Sequence, residues 1–264
     1  MNLSSSAWEI SIGETPLIAT AIHNGHDIRS EIAPLHKISA QDRLREEDPF
    51  TETWTAVGDS RIVLKTSRFE VDLNRPREHS VYIEPKSCWG LDVWKNPPSE
   101  DVISRSLGVY DRFYSVFYTL LNSLLRIHRH IVVLDIHSYN HRRGGVDTPA
   151  DPQEKNPDVI IGTSNMDREY WAPVIAALTD NLQSAPELGE FNDVRQNVKF
   201  SGGHMSRWIH QQFPNRACSL SIEFKKTFMD EWTGIPDKAH IEQIKKALMR
   251  VRDPILDTLN TFKS

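Results

Sequence analysis

The segment from Val132 to Gly145, "VVLDIHSYNHRRGG", joins the pattern of a buried strand to a dense group of titratable side chains. Its first residues are almost continuously apolar, as in a central strand that is covered on both faces. Asp135 and His137 follow at once. Because functional sites in α/β proteins collect at the carboxyl ends of strands, this segment predicts a strand that delivers side chains to a site.

Strand and helix patterns alternate along the rest of the chain. Apolar, β-branched runs predict strands at 15–23, 61–66, 68–74, 157–163 and 218–224. Apolar spacings of three and four predict helices at 104–128, 167–183, 205–212 and 237–262, the last broken or kinked at Pro254. The segment 82–98 is typical of a long surface loop. The alternation predicts one α/β domain over residues 1–264, a three-layer sandwich with a mostly parallel mixed sheet and helices on both faces.

Composition narrows the function classes. The 264 residues carry a formal net charge of −5, so the chain has no excess of basic residues that would attract the phosphate backbone of a nucleic acid. No apolar run reaches the roughly 18 residues of a spanning helix, and the first residues lack the features of a secretory signal. The only two cysteines, Cys88 and Cys218, fit a reducing compartment. We therefore expect a cytoplasmic protein that acts on a small molecule, with neither nucleic acid nor a membrane as partner.

Histidines and one glutamate follow three predicted strands. His23 and His26 come after the first strand, His137 ends the strand described above, and Glu223 lies in "LSIEF". Three histidines with one open coordination position make a catalytic zinc site, and a nearby carboxylate is the natural general base. Each signal is weak alone, since a strand-end histidine is often structural and Glu223 could face solvent.

An arginine-rich segment, "SRFEVDLNRPRE" at 67–78, is open to two interpretations. Its charges could form a surface ion-pair network, Arg75 and Arg77 with Asp72 and Glu78. Alternatively, an arginine beside a hydrolytic metal could hold a substrate carboxylate or stabilise an oxyanion.

The motifs taken in order resemble a known family. "DLNR" at 72–75, "DIHSY" at 135–139 and "SIEF" at 221–224 follow a strand-end histidine, an order similar to that of the zinc carboxypeptidase (phosphorylase/hydrolase-like) fold. The chain more closely resembles the N-formylglutamate amidohydrolase family, through His23–Gly25, "SRFEVDLNR", "DIHS", "PDVIIGT", "FSGGHMSRWI" and "LSIEFKKTFMDE". These matches span Ile22 to Glu231.

The resemblance implies roles for individual residues. His23 and His137 would be metal ligands, and Glu223 would activate water and pass its proton to the leaving amine. Asn74 and Arg75 would hold the substrate α-carboxylate, with Arg68 as the oxyanion stabiliser. The carboxypeptidase pattern has a glutamate where this chain has His26; we take His26 as the second metal ligand, with Asp48 as the alternative.

Two further residues complete the predicted site. Arg142 or Arg143 could meet a substrate side-chain carboxylate, and we take Arg143. His204 follows a glycine pair in "SGGH", either in a loop that closes over substrate or in a plain turn before a helix.

The reaction that the resemblance implies is amide hydrolysis. We expect an amidohydrolase that uses Zn²⁺, or another divalent transition metal, on an N-acyl amino acid such as N-formylglutamate. A carboxypeptidase-like peptidase acting on small peptides would use the same site. A non-catalytic protein that binds an acidic ligand is the third alternative, although such a protein needs no base at Glu223.

Overall fold

A single eight-stranded mixed sheet organises the molecule in the computed structural model, which describes residues 2–262. The strands are β1 (Asn2–Ser4), β2 (Trp8–Ser11), β3 (Leu17–Ala21), β4 (Ser60–Leu64), β5 (Ile131–Tyr139), β6 (Val159–Gly162), β7 (Val194–Gln196) and β8 (Ala217–Lys225). Their order across the sheet is β1-β2-β4-β3-β5-β8-β6-β7. β4, β3, β5 and β8 form a continuous parallel block, and β6 joins β8 in the antiparallel sense. The carboxyl ends of β3, β5 and β8 therefore lie along one edge.

Helices cover both faces of the sheet. They are α1 (Ala40–Glu46), α2 (Thr51–Trp54), α3 (Glu100–Leu124), α4 (Ala172–Gln183), α5 (His204–Gln212) and α6 (Lys238–Thr261). α4 and α6 share one apolar core with the inward side chains of β5 and β8. α3 and α5 pack into a second core on the opposite face. This arrangement confirms the predicted α/β fold class.

The strands close to the site are buried throughout. All nine residues of β5 are buried, including Asp135 and His137. Buried carboxylates and imidazoles require partners, and Asp135 accepts a hydrogen bond from the Thr20 hydroxyl of β3 at 2.8 Å. The neighbouring strand β3 thus supplies a partner for a buried carboxylate of β5.

Three local predictions differ from the structure. The segment 68–74, predicted as a strand, forms turns instead, because Arg68 and Asp72 both face inward and bind one another. α6 continues through Pro254 without a break. The segment 82–98 is irregular, as predicted, but it buries Cys88 and Trp94 and so belongs partly to a third apolar core rather than to the surface.

No helix within residues 2–262 has the length and apolar character that would let it cross a membrane.

Candidate active site

Three ligand-type side chains converge at the carboxyl edge of the sheet. His23 follows β3, Asp48 follows α1, and His137 lies near the end of β5; one atom from each lies within 4.8 Å of the other two. Asp48 Oδ2 is 3.0 Å from His137 Nδ1 and 3.4 Å from His23 Nδ1. All three side chains are buried. Two imidazole nitrogens and a carboxylate oxygen are a donor set that suits Zn²⁺, so the residues fit a divalent transition metal.

The outer nitrogen of each histidine lies against a second carboxylate. His23 Nε2 lies 2.7 Å from Asp72 Oδ1, and His137 Nε2 lies 3.0 Å from Asp135 Oδ2. A carboxylate in this position fixes the orientation of an imidazole and increases its basicity towards a metal. Both Nδ1 atoms are thereby directed at Asp48.

Asp48 is held as a carboxylate. Burial opposes its charge, but hydrogen bonds from His137 and His23 outweigh that effect and hold the pKa of Asp48 well below its usual range. Ser138 donates a further hydrogen bond to Asp48 Oδ1 at 3.1 Å. A carboxylate oxygen between two imidazoles suits a cation site.

His26 lies apart from this group. Its Nδ1 is 2.5 Å from Glu47 Oε2, and 42% of its side chain is exposed. The backbone at Gly25 passes so close to Lys65 that an added Cβ would lie 2.4 Å from its carbonyl. Residues 25–27 therefore run along Lys65, and His26 points outward. The alternative ligand, Asp48, is the residue that the fold brings to His23 and His137.

Glu223 faces the same cavity from β8. It pairs in register with His137 across the parallel β5–β8 ladder. Burial is the main cause that raises the pKa of its carboxyl group to about 8, and His137 acts in the opposite direction. A carboxyl group that titrates near neutrality can both accept and return a proton.

The cavity over these residues measures about 360 Å³. Its lining includes all of the predicted site residues except His26, and also residues that the sequence did not single out: Glu46, Trp89, Lys199, Arg207 and Lys226. Six basic side chains line it, which suits an anionic ligand: Arg68, Arg75, Arg143, Lys199, Arg207 and Lys226.

Asp72 connects the substrate side of the cavity to His23. Its carboxylate binds Arg68 Nη2 at 2.8 Å, the Asn74 amide nitrogen at 2.7 Å and the hydroxyl of Tyr82. Burial opposes this charge too, but Arg68 and His23 hold the pKa of Asp72 well below its usual value. Asp72 thus acts as a buried anchor for Arg68, whereas Arg77 pairs with Asp111, so the surface network predicted among Arg75, Arg77, Asp72 and Glu78 is wrong as stated.

The four predicted substrate contacts lie around the cavity. The Asn74 side chain accepts a hydrogen bond from the Met205 amide at 3.0 Å, at the start of α5. Arg75 is half-exposed and comes no closer than 3.9 Å to Asp72. Nη1 of Arg143 binds both oxygens of Glu46, at 2.8 and 2.9 Å. His204 Nε2 shares a hydrogen bond with the Tyr110 hydroxyl at 3.0 Å.

The glycine pair before His204 serves close packing. A Cβ on Gly203 would lie 2.2 Å from Asn74 Oδ1, so any larger residue there would displace this side chain. Gly202 has a φ of 111°, a conformation that favours glycine. The loop therefore packs directly against the Asn74 side chain.

Two solved structures share this fold, and a third aligns less closely. An N-formylglutamate amidohydrolase from Ralstonia eutropha JMP134 aligns with a TM-score of 0.73 at 14% identity, over 97% of this chain and 99% of that one. A gene product of Agrobacterium tumefaciens aligns at 0.64 and 15% identity, over 95% of each chain. A carboxypeptidase A from Helicoverpa armigera gives 0.46 at 12% identity, over 96% of this chain and 65% of that one. No curated protein matches the chain significantly.

The sequence itself matches a family model. The model for N-formylglutamate amidohydrolase covers residues 15–229, from the start of β3 past the end of β8, and so includes every residue of the His23–Asp48–His137 group as well as Glu223. The chain belongs to the N-formylglutamate amidohydrolase family.

Proposed function

We propose that the protein is a metal-dependent amidohydrolase that cleaves an N-acyl amino acid, with N-formylglutamate as the reference substrate. The observation that carries this proposal is the convergence of His23 Nδ1, Asp48 Oδ2 and His137 Nδ1 in a cavity that Glu223 also faces. When bound there, a divalent metal lowers the pKa of a water molecule and polarises a carbonyl group.

Glu223 is the proton carrier in this proposal. It accepts a proton from the water that attacks the acyl carbon, and it returns the proton to the amide nitrogen as the carbon–nitrogen bond breaks. The products are a carboxylic acid, formic acid for a formyl substrate, and the free amino acid. Burial raises the pKa of Glu223 above that of a free carboxyl group, which favours a residue that takes up a proton and then returns it.

Arg68 is the proposed oxyanion stabiliser. Its guanidinium is held by Asp72, by the hydroxyl of Tyr82 and by the carbonyl of Glu46 at 3.3 Å, while it also lines the cavity. A cation that is fixed in place before the reaction stabilises developing charge without reorganisation.

Carboxylate binding is assigned to two other arginines of the cavity lining. Arg75 has no close ion pair within residues 2–262, so its planar fork is available for the substrate α-carboxylate, with Asn74 beside it. Arg143 commits Nη1 to Glu46, which leaves the rest of its fork for a side-chain carboxylate such as that of glutamate. His204 lines the same cavity at the start of α5 and is the fourth proposed contact.

A substrate and metal screen tests the function. The protein is stripped with a chelator and assayed on N-formyl, N-acetyl and N-succinyl amino acids and on dipeptides, with zinc, cobalt or manganese restored. We expect release of the free amino acid only when metal is present. Hydrolysis that persists in chelator, or no hydrolysis with any metal, would overturn the proposal; a preference for dipeptides would assign the peptidase reaction instead.

A further inference from the structure

The end of α1 is held by cations that also line the active-site cavity. A helix leaves its last carbonyl groups without partners in the helix, and here these groups lie just before Asp48. Lys226 Nζ donates to the carbonyl oxygens of Arg45 at 2.5 Å and Glu47 at 2.6 Å. Arg68 binds the intervening carbonyl of Glu46 at 3.3 Å. Three successive carbonyls are thus satisfied by two side chains.

The backbone of Asp48 is fixed on both sides. Its amide donates to the carbonyl of His23 at 2.9 Å, and its carbonyl accepts from the Thr51 hydroxyl at 2.7 Å. Just before it, the amide of Glu47 donates to the carbonyl of Arg43 at 2.9 Å, and the chain then leaves the helix because Glu47 is extended. Together with the bond from Arg68 to the Glu46 carbonyl, the two bonds from Lys226 join the carbonyl groups of this turn to the rest of the site.

Lys226 is anchored to the strand that carries Glu223. It immediately follows β8, and its amide donates to the carbonyl of Tyr139 on β5 at 3.0 Å. Its side chain is buried, with 1% of the residue exposed. Among the surrounding charges, that of Asp48 acts most strongly on its ammonium group. The residue therefore spans the distance between the Glu223 strand and the Asp48 turn.

We propose that Lys226 is a positioning residue that holds Asp48 at the metal site, so that metal affinity depends on a lysine that is not itself a ligand. This inference rests on the proposed function, because it assumes that Asp48 binds the metal. Supporting groups of this kind typically contribute on the order of 10- to 100-fold to metal affinity.

Lys225 provides a matched control. It is the preceding residue, is also buried, and pairs with Asp158 at 2.7 Å, yet it does not line the cavity. Lys226→Met and Lys225→Met therefore remove the same buried charge from adjacent positions, and only the first removes the link to residues 45–47.

The experiment measures zinc affinity by competition with a chromogenic chelator, together with the melting temperature of the metal-free proteins and the visible spectrum of their cobalt forms. We expect Lys226→Met to bind zinc about 10- to 100-fold more weakly than Lys225→Met, to show an altered cobalt spectrum, and to regain turnover at saturating zinc. Lys226→Arg, which keeps the charge, should show a smaller loss of affinity and carries the comparison if the methionine variant does not fold.

Three outcomes would overturn the inference. Zinc affinity and a cobalt spectrum equal to those of the control would exclude a role in positioning Asp48. Normal zinc affinity with low turnover at saturating zinc would make Lys226 a substrate contact instead. A wild-type protein that binds no zinc would overturn the proposed function together with the inference, whereas wild-type binding with unaffected variants would overturn the inference alone.

Discussion

His137 and Glu223 occupy paired positions on the parallel strands β5 and β8. The nine-residue ladder that joins these strands sets the separation of the proposed ligand and the proposed base through backbone hydrogen bonds. Asp48, in contrast, reaches the site from a turn. The fold therefore holds the two sides of the site by different means, a strand ladder for His137 and Glu223 and a turn for Asp48.

Glu223→Gln should keep its metal and lose turnover. The amide is nearly isosteric with the carboxylate but cannot accept the proton, so the turnover number should fall by about 100- to 10,000-fold. Elemental analysis and rate measurements on one batch of protein check this. Glu154→Gln, an exposed change outside the cavity, serves as control. A Glu223→Gln protein with full metal and normal turnover would remove Glu223 from the mechanism.

Asp48→Asn should release metal, whereas His26→Ala should retain it. The reason is geometric, because Asp48 Oδ2 faces both ligand histidines and His26 binds Glu47 at the surface. His137→Ala should behave like Asp48→Asn, since a site with about three protein ligands loses most of its affinity with one. The metal-to-protein ratio of each variant after gel filtration shows which residue binds the metal. Loss of metal in His26→Ala alone would restore His26 as the ligand.

Arg75→Lys should weaken activity on N-acyl amino acids far more than on the matching carboxamides. Lysine keeps the charge but cannot form the two-bond fork, and hydrogen bonds between charged groups are strong enough for a loss of about 10- to 100-fold in kcat/KM. Arg77→Lys is the control, because Arg77 is exposed and pairs with Asp111. Equal losses on acids and carboxamides would make Arg75 a structural residue.

Stability should fall as the pH drops from about 7 to 4, in part because of His210. Its Nε2 accepts the Ser219 amide of β8 at 2.9 Å, and burial lowers the pKa of this imidazole to about 4. The unfolded chain takes up the proton near pH 6.5 and the folded chain cannot, so the free energy of unfolding decreases below that pH, by up to about 3 kcal/mol.

His210→Gln keeps an acceptor for Ser219 but does not titrate, so its loss of stability between pH 6.5 and pH 4 should be shallower. Burial also lowers the pKa of His36 to about 4. His36 therefore still contributes to the pH dependence of stability in the His210→Gln variant. Urea unfolding at several pH values measures this, with the exposed His79→Gln as control. A slope in His210→Gln identical to that of the wild type would refute the role of His210.

The strand framework was predictable because its signals are local. The largely apolar run at 131–136 has the composition of a strand covered on both faces, and β5 is buried along its whole length. The segment 68–74 alternates like a strand, yet the pairing of Arg68 with Asp72 turns it away from the sheet. A buried ion pair forms only when the fold brings its partners together, so the periodicity of the sequence does not predict it.

The site was predictable where strand ends supply it. His137 and Glu223 could be placed from their strands, since carboxyl ends of parallel strands meet at one edge. The choice between His26 and Asp48 depends on where Gly25 passes Lys65 and where α1 ends, and neither is encoded in local spacing. Lys226 had no signal of its own, because nothing in "EFKK" distinguishes the lysine that faces the cavity from its neighbour.

The order of strands in the sheet has a consequence for synthesis of the chain. β5 pairs with β3, which precedes it, and with β8, which leaves the ribosome only when residues 217–225 have been made. Until then one edge of this long, buried strand has no partner, and such an edge is a template for association with other chains. The nascent chain is therefore most prone to aggregation between the emergence of β5 and that of β8, the interval in which all three residues of the proposed metal group already exist and the proposed base does not.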